Sequence, residues 1–216
     1  MGLQKKDFVE IEFTGKIKGG EIFDSNIKED LKKLNPEANP KPIVLSLGEG
    51  MFLKGIDDFL IGKEIGDYNI ELTPEKAFGP RVKEFTQMIP IKVFKSQNIM
   101  PSPGDAFNFD GRIAKVLTVS GGRVIVDFNN PLAGKTVIYK IKVLRKVEDL
   151  NEKAKSFIDF LFRRELKFSI VDKKIILEVE KGMSKFVELF KDKFKDILGL
   201  DFEVKEITEN SQKVAQ

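Results

Sequence analysis

Cysteine and histidine are both missing from this chain of 216 residues, and the two absences remove most familiar enzyme chemistry at once. Without Cys there can be no disulfide, thiolate nucleophile or zinc–thiolate site, and without His the usual general base and the commonest metal ligand are gone. No metal and no cofactor is expected. Carboxylates remain, but the neighbours Asp57 and Asp58 fall on different faces of a helix, which predicts a solvated or capping role rather than an acid/base pair. A strong charge of one sign is missing too. Lys and Arg number 37 against 34 Asp and Glu, a net +3 with the signs interspersed, which argues against a nucleic-acid partner. There is no long uncharged apolar run for a membrane span, and the opening MGLQKKDFVE has no apolar signal core. A cytoplasmic protein without a membrane partner is expected, long enough to bury a sizeable core as one large or two small domains.

What is present is organised around residues 45–79, LSLGEGMFLKGIDDFLIGKEIGDYNIELTPEKAFG. Val44, Leu45 and Leu47 read as a strand. Gly48 and Gly50 turn the chain sharply, so that Phe52 and Leu53 arrive with their main-chain groups displayed rather than paired. Ile56, Phe59 and Leu60 form one apolar helical stripe with Gly62 as its stop. Ile70 and Leu72 resume an extended pattern, which Pro74, Ala77, Phe78 and Gly79 end in a loop. The expected result is a shallow apolar cup floored by one short helix.

Upstream, Asp7 to Phe13 alternates as a strand, with Phe8 on one side and Val9, Ile11 and Phe13 on the other. A hairpin follows from Thr14 to Gly20, and Ile22, Phe23 and Asp24 begin its return. Residues 26–42 read as a charged surface excursion with one helical turn near Asp30 to Leu34 and no chemistry. Residues 80–130 form an insertion with short strands at Phe85–Ile91, Ala106–Phe109, Gly111–Val119 and Arg123–Asp127, the last two joined across Gly121-Gly122. About two-thirds of its Met88, Ile89, Val93, Phe94, Met100 and Phe107 are expected to form its own core. From Asp149 an α-β-β-α-β annexe is predicted. Its first helix carries Ala154, Phe157, Ile158 and Leu161. Strands follow at Phe168–Val171 and Ile175–Val179. One long helix then carries Met183, Phe186, Val187, Phe190, Phe194 and Ile197 to a stop at Gly199, and a strand from Leu200 to Ile207 precedes a frayed NSQKVAQ.

The ordered blocks VEIEFTGKIKGGEIFDSN, LGEGMFLKGIDDFLIGKEIGD, LTPEKAFG and TVIYKIKVL resemble the FKBP-type peptidyl-prolyl isomerases. NNPLAGKTVIYKIKV resembles the SlyD subgroup, and the extra tail resembles the long-type archaeal members. The resemblance covers most of Phe8 to Val147 apart from the insertion. It implies an α+β fold: an FKBP-like antiparallel half-barrel wrapped on a short helix (1–79 with 131–148), an inserted mostly-β insert-in-flap chaperone subdomain (80–130) and a small C-terminal α+β domain (149–216). It implies a peptidyl-prolyl cis-trans isomerase with chaperone activity, acting on unfolded or proline-containing polypeptides. A non-catalytic peptide-binding chaperone using the same pocket is the alternative, and a scaffold whose tail recruits a partner is a more distant one.

Carried over position by position, the family pocket comprises Phe13, Phe23, Asp24, Phe52, Leu53, Ile56, Phe78 and Tyr139. Ile56 is the implied floor, Phe13, Phe23 and Tyr139 walls, Asp24 the polar member, and the Leu53 N–H a donor to substrate. In the insertion, Met88, Ile89, Val93, Phe94, Met100 and Phe107 are the implied client contacts. AFG stands here where AYG is common, Phe13 where Tyr is common, and Asn130 where the SlyD pattern has His. The apolar stripes of the annexe exceed what one hairpin and one strand can cover; packing on the barrel is one alternative, but the barrel's sequence already closes at Val147, which predicts a homodimer through the C-terminal domain.

Overall fold

The computed structural model describes residues 2–207, so the terminal NSQKVAQ lies outside the described residues. Among these, no helix is long and apolar enough to cross a membrane. The elements run β1 (Phe8–Ile17), β2 (Ile22–Ser25), α1 (Lys28–Leu34), β3 (Ile43–Ser46), α2 (Lys54–Leu60), β4 (Gly66–Leu72), β5 (Thr86–Pro90) and α3 (Ile91–Lys95). After these come β6 (Ala106–Phe109), β7 (Arg112–Ser120), β8 (Arg123–Asp127), β9 (Val137–Lys146) and α4 (Leu150–Phe162). The chain finishes with β10 (Phe168–Val171), β11 (Lys174–Glu180), α5 (Ser184–Glu188), α6 (Lys191–Leu198) and β12 (Asp201–Ile207). They form two compact units, one of residues 2–16, 22–70 and 139–207, the other of residues 17–21 and 71–138.

In the first unit a sheet runs β2-β1-β9-β4, with β3 also paired to β1. β1 is antiparallel to β3 from Phe8↔Ser46 to Ile11↔Ile43 and to β2 from Thr14↔Ser25 onward. The period-two alternation buries Val9, Ile11 and Phe13 together with Tyr139, Ile141 and Val143 of β9. Helix α2 adds Ile56 and Leu60, both fully buried. The 26–42 excursion is less idle than its composition suggests. Asn26 accepts from the Phe13 N–H (2.6 Å) and donates to the Ile11 carbonyl (3.0 Å), and Thr14 donates to Asp30 (2.8 Å). These bonds hold β1 where it passes from β3 to β2.

The C-terminal segment departs from the separate domain that its sequence predicts. Phe8, the lone apolar residue on the far side of β1, and Val147 share one core with Ala154, Phe157, Ile158, Ile175, Leu177, Val179, Val187, Phe194, Leu200 and Phe202, and Val44 and Met51 pack against it. The β-sheet is thus apolar on both faces at this end, and α4 covers the second face. Asp149 caps α4 by accepting from the Glu152 N–H at 2.8 Å. The sheet order is β10-β11-β12, β10 antiparallel and β12 parallel to β11. A parallel pair needs a crossover, which the α5–α6 segment supplies. The single long helix predicted there is broken at Leu189 and Phe190. The break lets the ring of Phe190 meet Phe162 (5.2 Å) while Phe194 meets Phe157 (5.2 Å) and Phe202 (4.8 Å). One straight stripe could not serve both targets.

The second unit holds a four-stranded sheet, β5-β8-β7-β6. Gly121 and Gly122 both take positive φ (57° and 76°), the conformation a two-residue hairpin between β7 and β8 requires. Phe94, Ala114, Val116, Val124 and Val126 form its core, with Ile89, Phe107, Phe109 and Phe128 packed around them. Helix α3, where the sequence predicts only a strand end, is five residues long and escapes any 3.6-residue periodicity. Asn129 accepts from the Val82 N–H (2.9 Å) and donates to the Val82 carbonyl (3.0 Å), while Arg81 pairs with Asp127. These bonds clamp the two ends of the insertion to each other.

Candidate functional site

The first unit brings four aromatic rings together from four separate stretches of chain. Phe13 on β1 meets Phe52 edge to face at 4.9 Å, and Tyr139 on β9 lies 6.1 Å from Phe13, 5.7 Å from Phe52 and 5.8 Å from Phe23 on β2. Such edge contacts fix ring orientation as well as burying area. Phe13 and Tyr139 are buried, Phe52 and Phe23 half-buried, so the cluster has a covered base and an accessible rim. Ile56 is fully buried in the first turn of α2. Leu53 is the residue that opens that helix: its carbonyl accepts from Ile56 (2.9 Å) and Asp57 (3.1 Å), and among the described residues no protein group accepts its N–H. A half-buried donor so placed is available to a ligand carbonyl.

Asp24 is exposed at the rim, yet protein around its carboxyl pushes the pKa above the ordinary aspartate value by desolvation, with the Ser25 N–H acting against the rise. Burial likewise raises the Tyr139 phenol, and the nearby Asp24 charge adds to that. Tyr139 is therefore a neutral hydroxyl at ordinary pH. Phe78 belongs to the second unit, half-buried in the turn after a short 3-10 segment at Pro74–Lys76.

Two members of the site were not singled out from sequence. Gly15 on β1 lies so close to the cluster that a Cβ there would sit 2.9 Å from both the Phe23 and the Tyr139 rings. An isolated Gly inside a strand is the signal that points to such close approach. The second is Asp57, expected to be solvated or capping. The structure corrects this: Asp57 is 2% exposed, facing inward beneath the Gly48–Leu53 loop, while Asp58 faces out.

The six residues singled out in the insertion divide evenly. Phe94 is core, with Phe107 (5.5 Å) against its ring, and Ile89 is packed with them. Met88, Val93 and Met100 are exposed, Met100 at 73%. Ile113, at 70%, was not singled out. Its neighbours Ala114 and Val116 are buried, so alternation along β7 puts Ile113 on the outer face.

A concavity of about 700 Å³ lies between α4, β10 and β11. Much of its charged rim is paired internally (Lys155–Glu165 at 3.3 Å, Arg164–Glu180 at 3.4 Å), and it contains no aromatic cluster.

Residues 87–132 match the family model described as FKBP26, IF domain. A short-type peptidyl-prolyl cis-trans isomerase of Methanocaldococcus jannaschii is 31% identical over 145 residues, 65% of this chain and 92% of that one. An FKBP-type peptidyl-prolyl cis-trans isomerase SlyD of Treponema pallidum is 30% identical over 149 residues, 66% of this chain and 77% of its own. The SlyD of Aeromonas hydrophila is 30% identical over 140 residues, 62% of this chain, and the match spans 60% of that relative's length.

Proposed function

This chain belongs to the FKBP-type peptidyl-prolyl cis-trans isomerases, and on that premise we propose that the aromatic cluster of its first unit is the catalytic cup and its insertion a holding surface for unfolded chains. Rotation about an Xaa-Pro bond faces a barrier of about 20 kcal/mol, because the partial double bond must be broken. No proton has to move, so a chain without His or Cys is no obstacle. A twisted amide is less charge-separated than a planar one, so an apolar, water-poor cup favours it relative to the ground state. Lowering the barrier by about 4–8 kcal/mol gives roughly 10³- to 10⁶-fold acceleration.

In this reading Phe13, Phe23, Phe52 and Tyr139 wall the cup, Ile56 floors it, and Asp24 orients the rim. The Leu53 N–H holds a substrate carbonyl. Phe78 is kept among the substrate-contacting residues on its position in the AFG segment alone. The observation that carries the reading is the four-ring cluster beside the unaccepted Leu53 N–H. An NMR-exchange assay on a short Xaa-Pro peptide tests it. The wild type is expected to accelerate exchange, and Gly15→Ala, which forces the Phe23 and Tyr139 rings apart, to lose about tenfold or more with far-UV circular dichroism unchanged. Full activity in Gly15→Ala moves the chemistry away from these rings. Wild-type protein with no rate above background favours the alternative, a chaperone that uses the cup for docking alone.

Met88, Val93, Met100 and Ile113 are the proposed client contacts, because they are exposed and apolar on a unit whose own core is already filled. Adaptable Met side chains suit promiscuous contact. Ile89, Phe94 and Phe107 leave the proposed client-contact set, since they build that core. Replacing residues 80–130 by a short flap is expected to retain most peptide isomerisation and to abolish acceleration of a proline-limited refolding reaction. Equal loss of both activities assigns the insertion to the cup instead. The clients proposed are unfolded polypeptides in the cytoplasm, and the module after Asp149 is the reason for assigning the chain to the long, archaeal type. A homodimer through that module remains part of the proposal on a narrower basis. Phe157 and Phe194 are taken up by the chain's own core, which leaves Phe186 and Leu189, the latter 77% exposed, as the candidate contact.

A further inference from the structure

Beneath the loop that delivers Phe52 and Leu53 to the cup lies a small group of buried polar atoms that hydrogen bonding leaves incomplete. Ser46 Oγ, Glu49 Oε1 and Asp57 Oδ1 are all buried without a hydrogen-bond partner among the described residues. Lys5, whose side chain lies across Gly48, approaches Glu49 no closer than 3.8 Å. The N–H groups of Gly48 and Gly50 lie near enough to the Asp57 carboxylate to favour its charged form, and both glycines have positive φ, 77° and 71°. The positive-φ turn thus brings two backbone N–H groups close to one side chain on α2. That side chain is the immediate neighbour of Ile56, the proposed floor.

A buried carboxylate with an incomplete set of partners is costly for a fold to keep. Its surroundings account for its presence through the loop rather than through the core. We propose that Asp57 is a positioning residue: its carboxylate holds the Gly48–Leu53 loop by the Gly48 and Gly50 N–H groups, so fixing Phe52 and the Leu53 N–H for isomerisation, and its protonation slackens the loop. The proposal rests on the isomerase reading of the cup for its consequence, though not for the loop contact itself.

The charged groups facing Asp57 set the pH at which this acts. Burial pushes its pKa from 3.8 up to about 6; the Gly48 and Gly50 N–H groups oppose the rise, and the charges of Asp58 on its own helix and Glu49 on the loop add to it. Lys5 offsets part of the Glu49 charge from the N-terminal segment. The loop is therefore held above about pH 6 and released below it. Neutral Asn at this position keeps one acceptor oxygen but offers two donors to a site that already presents donors.

The test has two arms. In the first, amide shifts of Gly48 and Gly50 in the wild-type protein are followed by NMR from pH 8 to pH 4.5. Both are expected to titrate with a midpoint near 6, and flat shifts overturn the proposal without recourse to any variant. In the second, kcat and KM for a Xaa-Pro peptide are measured over the same range. The wild type is expected to lose activity several-fold below pH 6, mainly through a rise in KM. Asp57→Asn is expected to show the low activity at every pH, and Asp57→Glu to restore the pH dependence in part. Asp57→Asn with wild-type KM and a wild-type pH profile overturns the positioning role. A wild-type protein inactive at pH 8 fails the isomerase reading instead, and the amide titration then still decides whether Asp57 holds the loop.

Discussion

A chain ending at Val147 is expected to be markedly less stable in its β1 region than the full chain, although its sheet is complete in sequence. The reason is the core shared by Phe8 and Val147 with α4, β11 and α6. Both residues are buried, and Val44 and Met51 lean on the same cluster. Fully exposing one large apolar side chain costs about 1.5–3 kcal/mol. Uncovering Phe8 and Val147 therefore costs about 3–6 kcal/mol, against a net stability of about 5–15 kcal/mol for a typical domain. Hydrogen exchange of the β1 amides in the two chains measures it directly. Protection unchanged by the truncation contradicts the shared core. Phe194→Ala in the full chain opens the same core without removing any residue. That change is expected to cost about 3–5 kcal/mol, read as a fall in the urea midpoint. Light scattering on the same pair of chains addresses the proposed dimer, which predicts a dimeric full chain and a monomeric truncated one.

The covering of Phe8 also explains which parts of the fold were legible in the sequence. Alternation along β1 put Phe8 opposite Val9 and Ile11, but a single apolar residue on the second face gives no periodic signal of what covers it. The apolar stripes of the tail were equally clear. What could not be read was that they had Phe8, Val44 and Val147 as partners, because pairings between distant segments leave no mark on local periodicity. The helix break at Leu189 escaped for a similar reason. Phe186, Phe190 and Phe194 satisfy a helical spacing, and only the positions of Phe162, Phe157 and Phe202 demand two directions. The order of sequence blocks singled out Phe13, Phe23, Phe52 and Tyr139 as walls of the proposed cup, and the four rings do converge. Gly15 and Asp57 were not found. Their roles depend on how close a strand passes to two rings and on which way a bent loop turns its N–H groups.

Asp57→Asn is expected to make the folded protein more stable at neutral pH even as it impairs the loop. In the folded chain the Asp57 pKa is about 6, against an ordinary value of 3.8. A carboxyl whose folded pKa is raised binds its proton more tightly in the native state. Its favourable contribution is thus complete below pH 3.8 and lost as pH rises through 6. At pH 7.5 the ionised group opposes folding by about 3 kcal/mol at most, from a shift of about two units, and by less where solvent near the loop screens the charge. Asn carries no charge to bury, so its urea midpoint at pH 7.5 is expected to exceed that of the wild type, and the difference to shrink as pH falls below 6. A variant less stable than wild type at both pH values would mean that the Gly48 and Gly50 contacts support the fold itself. A variant that gains stability while losing affinity for its peptide separates the two roles, because a residue kept for packing cannot lower stability in its native form and still be needed for binding.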